Sequence, residues 1–148
     1  MCHICAISEI AKKDRWPKPL EASKTDLHLL IPMIHDQYEH FHAVKQQIPT
    51  TPIPETLITL LRTLRELLNS LEDDREKWWT SPAKRELRKK LDLEGDQKKM
   101  SELQKINNAV RDRLGETQAK LGGFVRWTLG FNGGVYELEN AWRVAGGV

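Results

Sequence analysis

Leucine recurs at positions 57, 60, 61, 64, 67, 68 and 71. The steps of three and four residues place all of them on one side of an α-helix, and the pattern suits no strand. A helix with so broad an apolar face is stable only when other amphipathic elements cover it, so the rest of the chain must supply partner helices. Pro54 stands where the first turn of such a helix tolerates a proline. The acidic run "EDDREKWW" then carries the helix to its expected end before Ser81.

The flanking segments repeat the helical period. "TDLHLLIPMIHDQYEHFHAVKQQI" sets Leu27, Leu30, Ile34, Tyr38, Phe41 and Val44 on one stripe. Thr25 is its predicted N-cap, its end falls near Gln47, and Pro32 is expected to kink it. "PTTPIP" makes a connector through which no helix can pass. Ser81 and Pro82 predict the cap and first position of another helix, which Gly95 ends. Asp96 caps a long helix whose seam runs Met100, Leu103, Asn107, Val110, Leu114, Thr117, Leu121 and Phe124, polar at two points. "LGGF" and "FNGG" bracket its end near residue 130, and "VYELENAWRV" predicts a short last helix before "AGGV". At the other end, residues 4–13 read as a short helix closed by "RWPKP". The expected fold is all-α, an antiparallel bundle of about five helices. It forms a single domain over residues 1–148, with residues 1–24 and 131–148 at its periphery.

Chemical signatures are sparse. Cys2 and Cys5 have the spacing that lets two thiolates share a zinc, and His35 and His40 are in principle able to complete a tetrahedral set. One such pair at a chain end fits no common finger, and incidental thiols on a short helix are the preferred reading. His28, His35 and His42 lie seven apart, about 10 Å along a helix, too far to ligate one ion. They are expected at the boundary between the apolar stripe and water. No nucleophile elbow, phosphate loop or metalloprotease motif is present, so no catalytic residue, metal or cofactor is assigned. No run approaches the roughly 18 to 20 apolar residues of a membrane span. With two cysteines and no secretory signal, a cytoplasmic protein is expected.

The charge is unevenly placed. Residues 1–83 hold 10 Lys and Arg against 12 Asp and Glu, whereas residues 84–148 hold 13 against 9, so the two parts carry −2 and +4. "PAKRELRKK" concentrates Lys84, Arg85, Arg88, Lys89 and Lys90 on one predicted helix, with Leu87 and Leu91 read as its buried side and the cations as its outward surface. The long helix adds Lys98, Lys99, Lys105, Arg111, Arg113 and Lys120, and Arg126 follows. Packed side by side, the two helices would offer an extended basic surface of the kind that holds a phosphate backbone by counterion release. Trp78 and Trp79, immediately upstream, are candidates for stacking on a base, with at least one of them expected in the core.

A mildly basic helical bundle of this size, without catalytic residues and with its positive charge in the C-terminal helices, resembles the small subunit of CRISPR Cascade-type surveillance complexes. The resemblance implies a non-enzymatic antiviral-defence protein that holds DNA or RNA backbone. It also implies other protein subunits of a ribonucleoprotein as partners, and more than one copy in each complex. The chain is also similar to the basic helical accessory proteins of retroelement reverse transcriptases, with "LGGFVRW" as the local echo. The alternative expectation is a protein–protein adaptor or accessory bundle, of which such an accessory protein is one example, whose apolar helix faces pack on a partner and whose basic stripe is merely solvated; a zinc-dependent protein using Cys2 and Cys5 is the third.

Overall fold

The computed structural model describes Pro17 and residues 20–144. These form five α-helices and no strand: α1 (Glu21–Gln47), α2 (Glu55–Trp79), α3 (Pro82–Glu94), α4 (Gln97–Gly123) and α5 (Val135–Val144). A π-helical turn, Phe124–Thr128, continues α4 directly. The all-α bundle expected from the periodicity is therefore the fold. Cys2, Cys5 and the helix expected over residues 4–13 lie outside the described residues.

Helix α2 is central because its leucine face is wide enough for several partners. Leu57, Leu61, Leu64, Leu68 and Leu71 are almost fully buried, and Leu60 and Leu67 pack against the same core from its edges. The short connector after Gln47 turns the chain back, so α1 lies antiparallel to α2 and contributes Leu27, Leu30, Ile31, Ile34 and Phe41. Thr56 donates from its hydroxyl to the Gln37 side chain across this hairpin, at 3.1 Å.

Two other bonds set the direction of α4. The Arg75 side chain meets Asn107, and Gln118 meets Asn69, so numbers rise along α4 as they fall along α2. The two helices are antiparallel. Tyr38 closes the bundle from α1, meeting Phe124 edge-on with ring centroids 5.3 Å apart. Helix α5 then lies on α2, burying Val135 and Leu138.

The helix boundaries follow local chemistry. Ser81 Oγ accepts from the Lys84 backbone N–H, and Asp96 Oδ1 accepts from that of Lys99, as the sequence indicates. Gly95 adopts φ 68°, the left-handed turn that releases the chain between α3 and α4. Thr25 does not cap α1, which begins at Glu21, four residues earlier. The start is fixed instead by Leu20, fully buried and donating its N–H to the Pro17 carbonyl. Helix α1 continues through Pro32, whose side lies exposed.

The seam of α4 is buried from Leu103 to Phe124, including both polar positions, with Met100 partly exposed at its start. Thr117 turns its hydroxyl to the Arg113 carbonyl, 2.7 Å away. Asn107 accepts from Nη1 of Arg75, also at 2.7 Å, while Nε and Nη2 of Arg75 grip Glu72 at 2.9 and 2.6 Å. The Glu72 hydrogen bonds hold the Arg75 pKa above its ordinary value, against the opposing effect of burial. Each of the three nitrogens of this buried guanidinium thereby has one partner, on α2 or α4.

Candidate nucleic-acid interface

The interface must be built from α3 outward, because that helix holds the densest run of cations. Positions 84, 87, 88 and 91 are related by steps of three and four, so Lys84 and Arg88 share the face of Leu87 and Leu91. Only Leu91 is buried on α3. The Lys84 ammonium sits 5.2 Å from the centre of the Trp78 ring, and the Arg88 guanidinium 4.1 Å from that of Trp79. Arg88 also donates to the Trp79 carbonyl at 2.5 Å, satisfying an acceptor that the end of α2 leaves open.

Lys84 and Arg88 therefore fold back onto the indoles instead of facing outward. Leu87 and Leu91 are expected opposite the cations, but their spacing from Lys84 and Arg88 in steps of three and four puts all four on one face. Leu87, read as buried, is 36% exposed. The cations that do leave α3 for solvent are Arg85, Lys89 and Lys90, all exposed and without an ion pair among the described residues.

Helix α4 divides its charges. Lys99 lies 3.9 Å from Asp96, Arg111 bonds Asp112 at 3.3 Å, and Arg113 bonds Glu116 at 2.8 Å. Arg111 and Arg113, two residues apart, point to opposite flanks of the buried seam, so the charges of α4 do not form one continuous stripe. Lys98 and Lys105 share a face one heptad apart and are exposed, as is Arg126; Lys120 is half-buried. These four make no ion pair among the described residues. The structure thus brings Arg85, Lys89, Lys90, Lys98 and Lys105 to the exterior of the α3–α4 pair, and places Lys120 and Arg126 toward the far end of α4.

Trp78 and Trp79 are half-buried, and a ring face of each is taken by its cation. Among the described residues the most exposed indole is Trp127, 77% exposed beside Arg126. Position 127 lies off the seam that ends at Leu121 and Phe124, which is the signal that marks it as outward-facing.

His28 and His35 take the half-buried boundary positions expected of them, whereas His42, expected there too, is exposed, as is His40. His35 pairs with Glu39 at 3.6 Å, and no group of three metal-binding side chains converges among the described residues.

A second polar cluster escaped the sequence reading. Glu139 is buried on the apolar face of α5, with Oε1 3.5 Å from Arg62 Nε and Oε2 3.5 Å from Arg65 Nη1. It borders a cleft of about 400 Å³ between the first turns of α2 and the end of α5. Its position among Val135, Leu138 and Trp142, at helical spacing, was the available clue.

No helix among the described residues is long and apolar enough to cross a membrane. No protein-family model matches the chain, and no curated protein or solved structure is significantly similar to it.

Proposed function

We propose that this protein is a non-enzymatic helical subunit that holds nucleic-acid backbone within a larger ribonucleoprotein. The observation that carries the reading is the group of exposed cations on α3 and α4, Arg85, Lys89, Lys90, Lys98 and Lys105, which have no internal counterion among the described residues. Unpaired surface cations release condensed counterions from a phosphate chain on binding, which drives association without reading bases. Arg126 and the exposed Trp127 add a charge and a stacking surface suited to an unpaired base.

The finer form of the proposal is a small subunit of a Cascade-type CRISPR complex that stabilises the target or displaced DNA strand, present in several copies beside other subunits in the cytoplasm. It rests on the bundle architecture and the charge placement described above. Fluorescence anisotropy with labelled single- and double-stranded oligonucleotides, at several salt concentrations, tests the general form. Sequence-tolerant binding that weakens steeply with salt supports it.

A second reading, a protein–protein adaptor, is favoured by apolar groups on the same helices. Leu93 is 80% and Ile106 41% exposed, apolar surface that a partner helix would cover. Under that reading the oligonucleotide experiment shows no salt-sensitive binding, alone or in the reconstituted assembly.

A further inference from the structure

The solvent side of α4 ends in an uncovered indole. The buried seam passes through Leu114, Thr117, Leu121 and Phe124, and in a regular α-helix its next member is Thr128. The π-helical turn over Phe124–Thr128 widens the last turn, so Val125 and Leu129 are buried and Thr128 stays half-buried. The same widening rotates Trp127 from the flank of Phe124 to the side opposite the core. Gly130 then turns the chain at φ 71°, and the Phe131 N–H donates to the Val125 carbonyl at 3.4 Å, which fixes the turn that carries the indole. The other described indoles are occupied: Lys84 and Arg88 lie over Trp78 and Trp79, and Trp142 packs against the core. No cation or ring lies on Trp127 among the described residues. Gly123, four residues earlier on the same side, has no side chain to cover it.

The face that ends at Trp127 begins with cations. Lys98 and Lys105 also lie opposite the seam, and both are exposed without an ion pair among the described residues. Asp112 and Glu116 stand between them and the indole on this side, and each is paired with an arginine of the same helix, Arg111 and Arg113. Arg126 places one more exposed cation beside the ring. At 1.5 Å per residue, Lys105 and Trp127 are about 33 Å apart, a span of about ten phosphates at the spacing of one duplex strand. A single strand can lie along this face with phosphates at Lys98 and Lys105 and turn one unpaired base onto the indole, whereas the bases of a duplex are already stacked on one another. We infer that the protein selects single-stranded nucleic acid, with Trp127 as the platform for one base and Arg126 as the cation for a neighbouring phosphate. The inference rests on the backbone-binding reading and adds to it the class of strand. No sequence preference is expected, because every base has a face that stacks.

Three probes of about 20 nucleotides, long enough to span the face, separate stacking from charge: oligothymidylate, the same sugar–phosphate chain without bases, and a duplex. Their affinities for the full chain are read by fluorescence anisotropy. The parent should bind oligothymidylate about 5- to 100-fold more tightly than the abasic chain, the range that one stacked base supplies. Trp127→Ala should lose that factor on oligothymidylate and nothing on the abasic chain or the duplex, with the melting temperature unchanged because the indole lies on the surface. Trp127→Phe, which keeps a flat ring, should retain most of the factor. An oligothymidylate affinity unchanged by Trp127→Ala, or a loss of equal size on all three probes, would overturn the inference while leaving salt-dependent backbone binding in place. Absence of binding by the parent to every probe would overturn both.

Discussion

Removing the side-chain amide of Asn107 isolates one buried polar contact. Asn107 and Arg75 are 5% and 7% exposed, so neither exchanges its lost partner for water when the other is truncated. Asn107→Ala leaves Arg75 Nη1 without an acceptor, and a hydrogen bond to a charged group is worth about 1.5–3 kcal/mol. The larger penalty of an unpaired buried charge is not reached, because Glu72 still holds Nε and Nη2 and its side chain is 42% exposed. The expected cost is about 2 kcal/mol, or a melting temperature lower by about 4–8 °C for a chain of this size. Urea unfolding followed by far-UV circular dichroism reads it, with an unchanged slope certifying that only the native state was altered. Arg75→Met with Asn107→Leu replaces both partners by apolar groups and frees Glu72 to water, so the double variant should return to within about 1 kcal/mol of the parent. A loss below about 0.5 kcal/mol for Asn107→Ala, or a double variant whose loss is the sum of the single ones, would refute the account of the α2–α4 contact.

Three further outcomes follow from the same structure. Leu64→Ala, at a fully buried site of the central helix, should cost about 2–5 kcal/mol in the same unfolding experiment; parent-like stability would mean that α2 is not the centre of the core. Arg88→Ala should shift tryptophan emission to longer wavelength and cost about 1–2 kcal/mol, because it uncovers the Trp79 face and removes the donor to its carbonyl; unchanged emission would disprove the stacked arrangement. Gly95→Ala should cost about 1–2 kcal/mol by thermal melting through backbone strain alone, since an added Cβ would meet nothing within 4 Å; a neutral result would contradict the left-handed turn.

Helix positions were legible wherever the apolar period was strong and a specific residue closed the element. Ser81, Gly95 and Asp96 fix the boundaries of α3 and α4 through bonds made within four residues, and such bonds are written locally in the sequence. The start of α1 was missed because it depends on Leu20 being buried by distant parts of the chain, which no cap residue announces.

The candidate interface was only half legible. Composition identifies cations, but not whether a neighbouring helix end or indole absorbs them, and Trp79 does both to Arg88. The Arg75–Asn107 bond and the Glu139 cluster were hidden for a related reason. Each joins residues more than thirty positions apart, and only the packing of α4 and α5 on α2 brings them together.

Backbone binding is tested most directly by the dependence of oligonucleotide affinity on salt. Plotted as the logarithm of the association constant against that of the salt concentration, the slope counts the phosphates neutralised, at about 0.9 for each contact on duplex DNA. Arg85→Ala, Lys89→Ala and Lys90→Ala combined remove the exposed cations of α3 and leave Lys84 and Arg88 on their indoles, so helix content should be retained. The proposal predicts that the slope of this triple variant is flatter than that of the parent by up to about three, uniformly across sequences. An identical slope for parent and variant, in the isolated protein and in the reconstituted assembly, would contradict it.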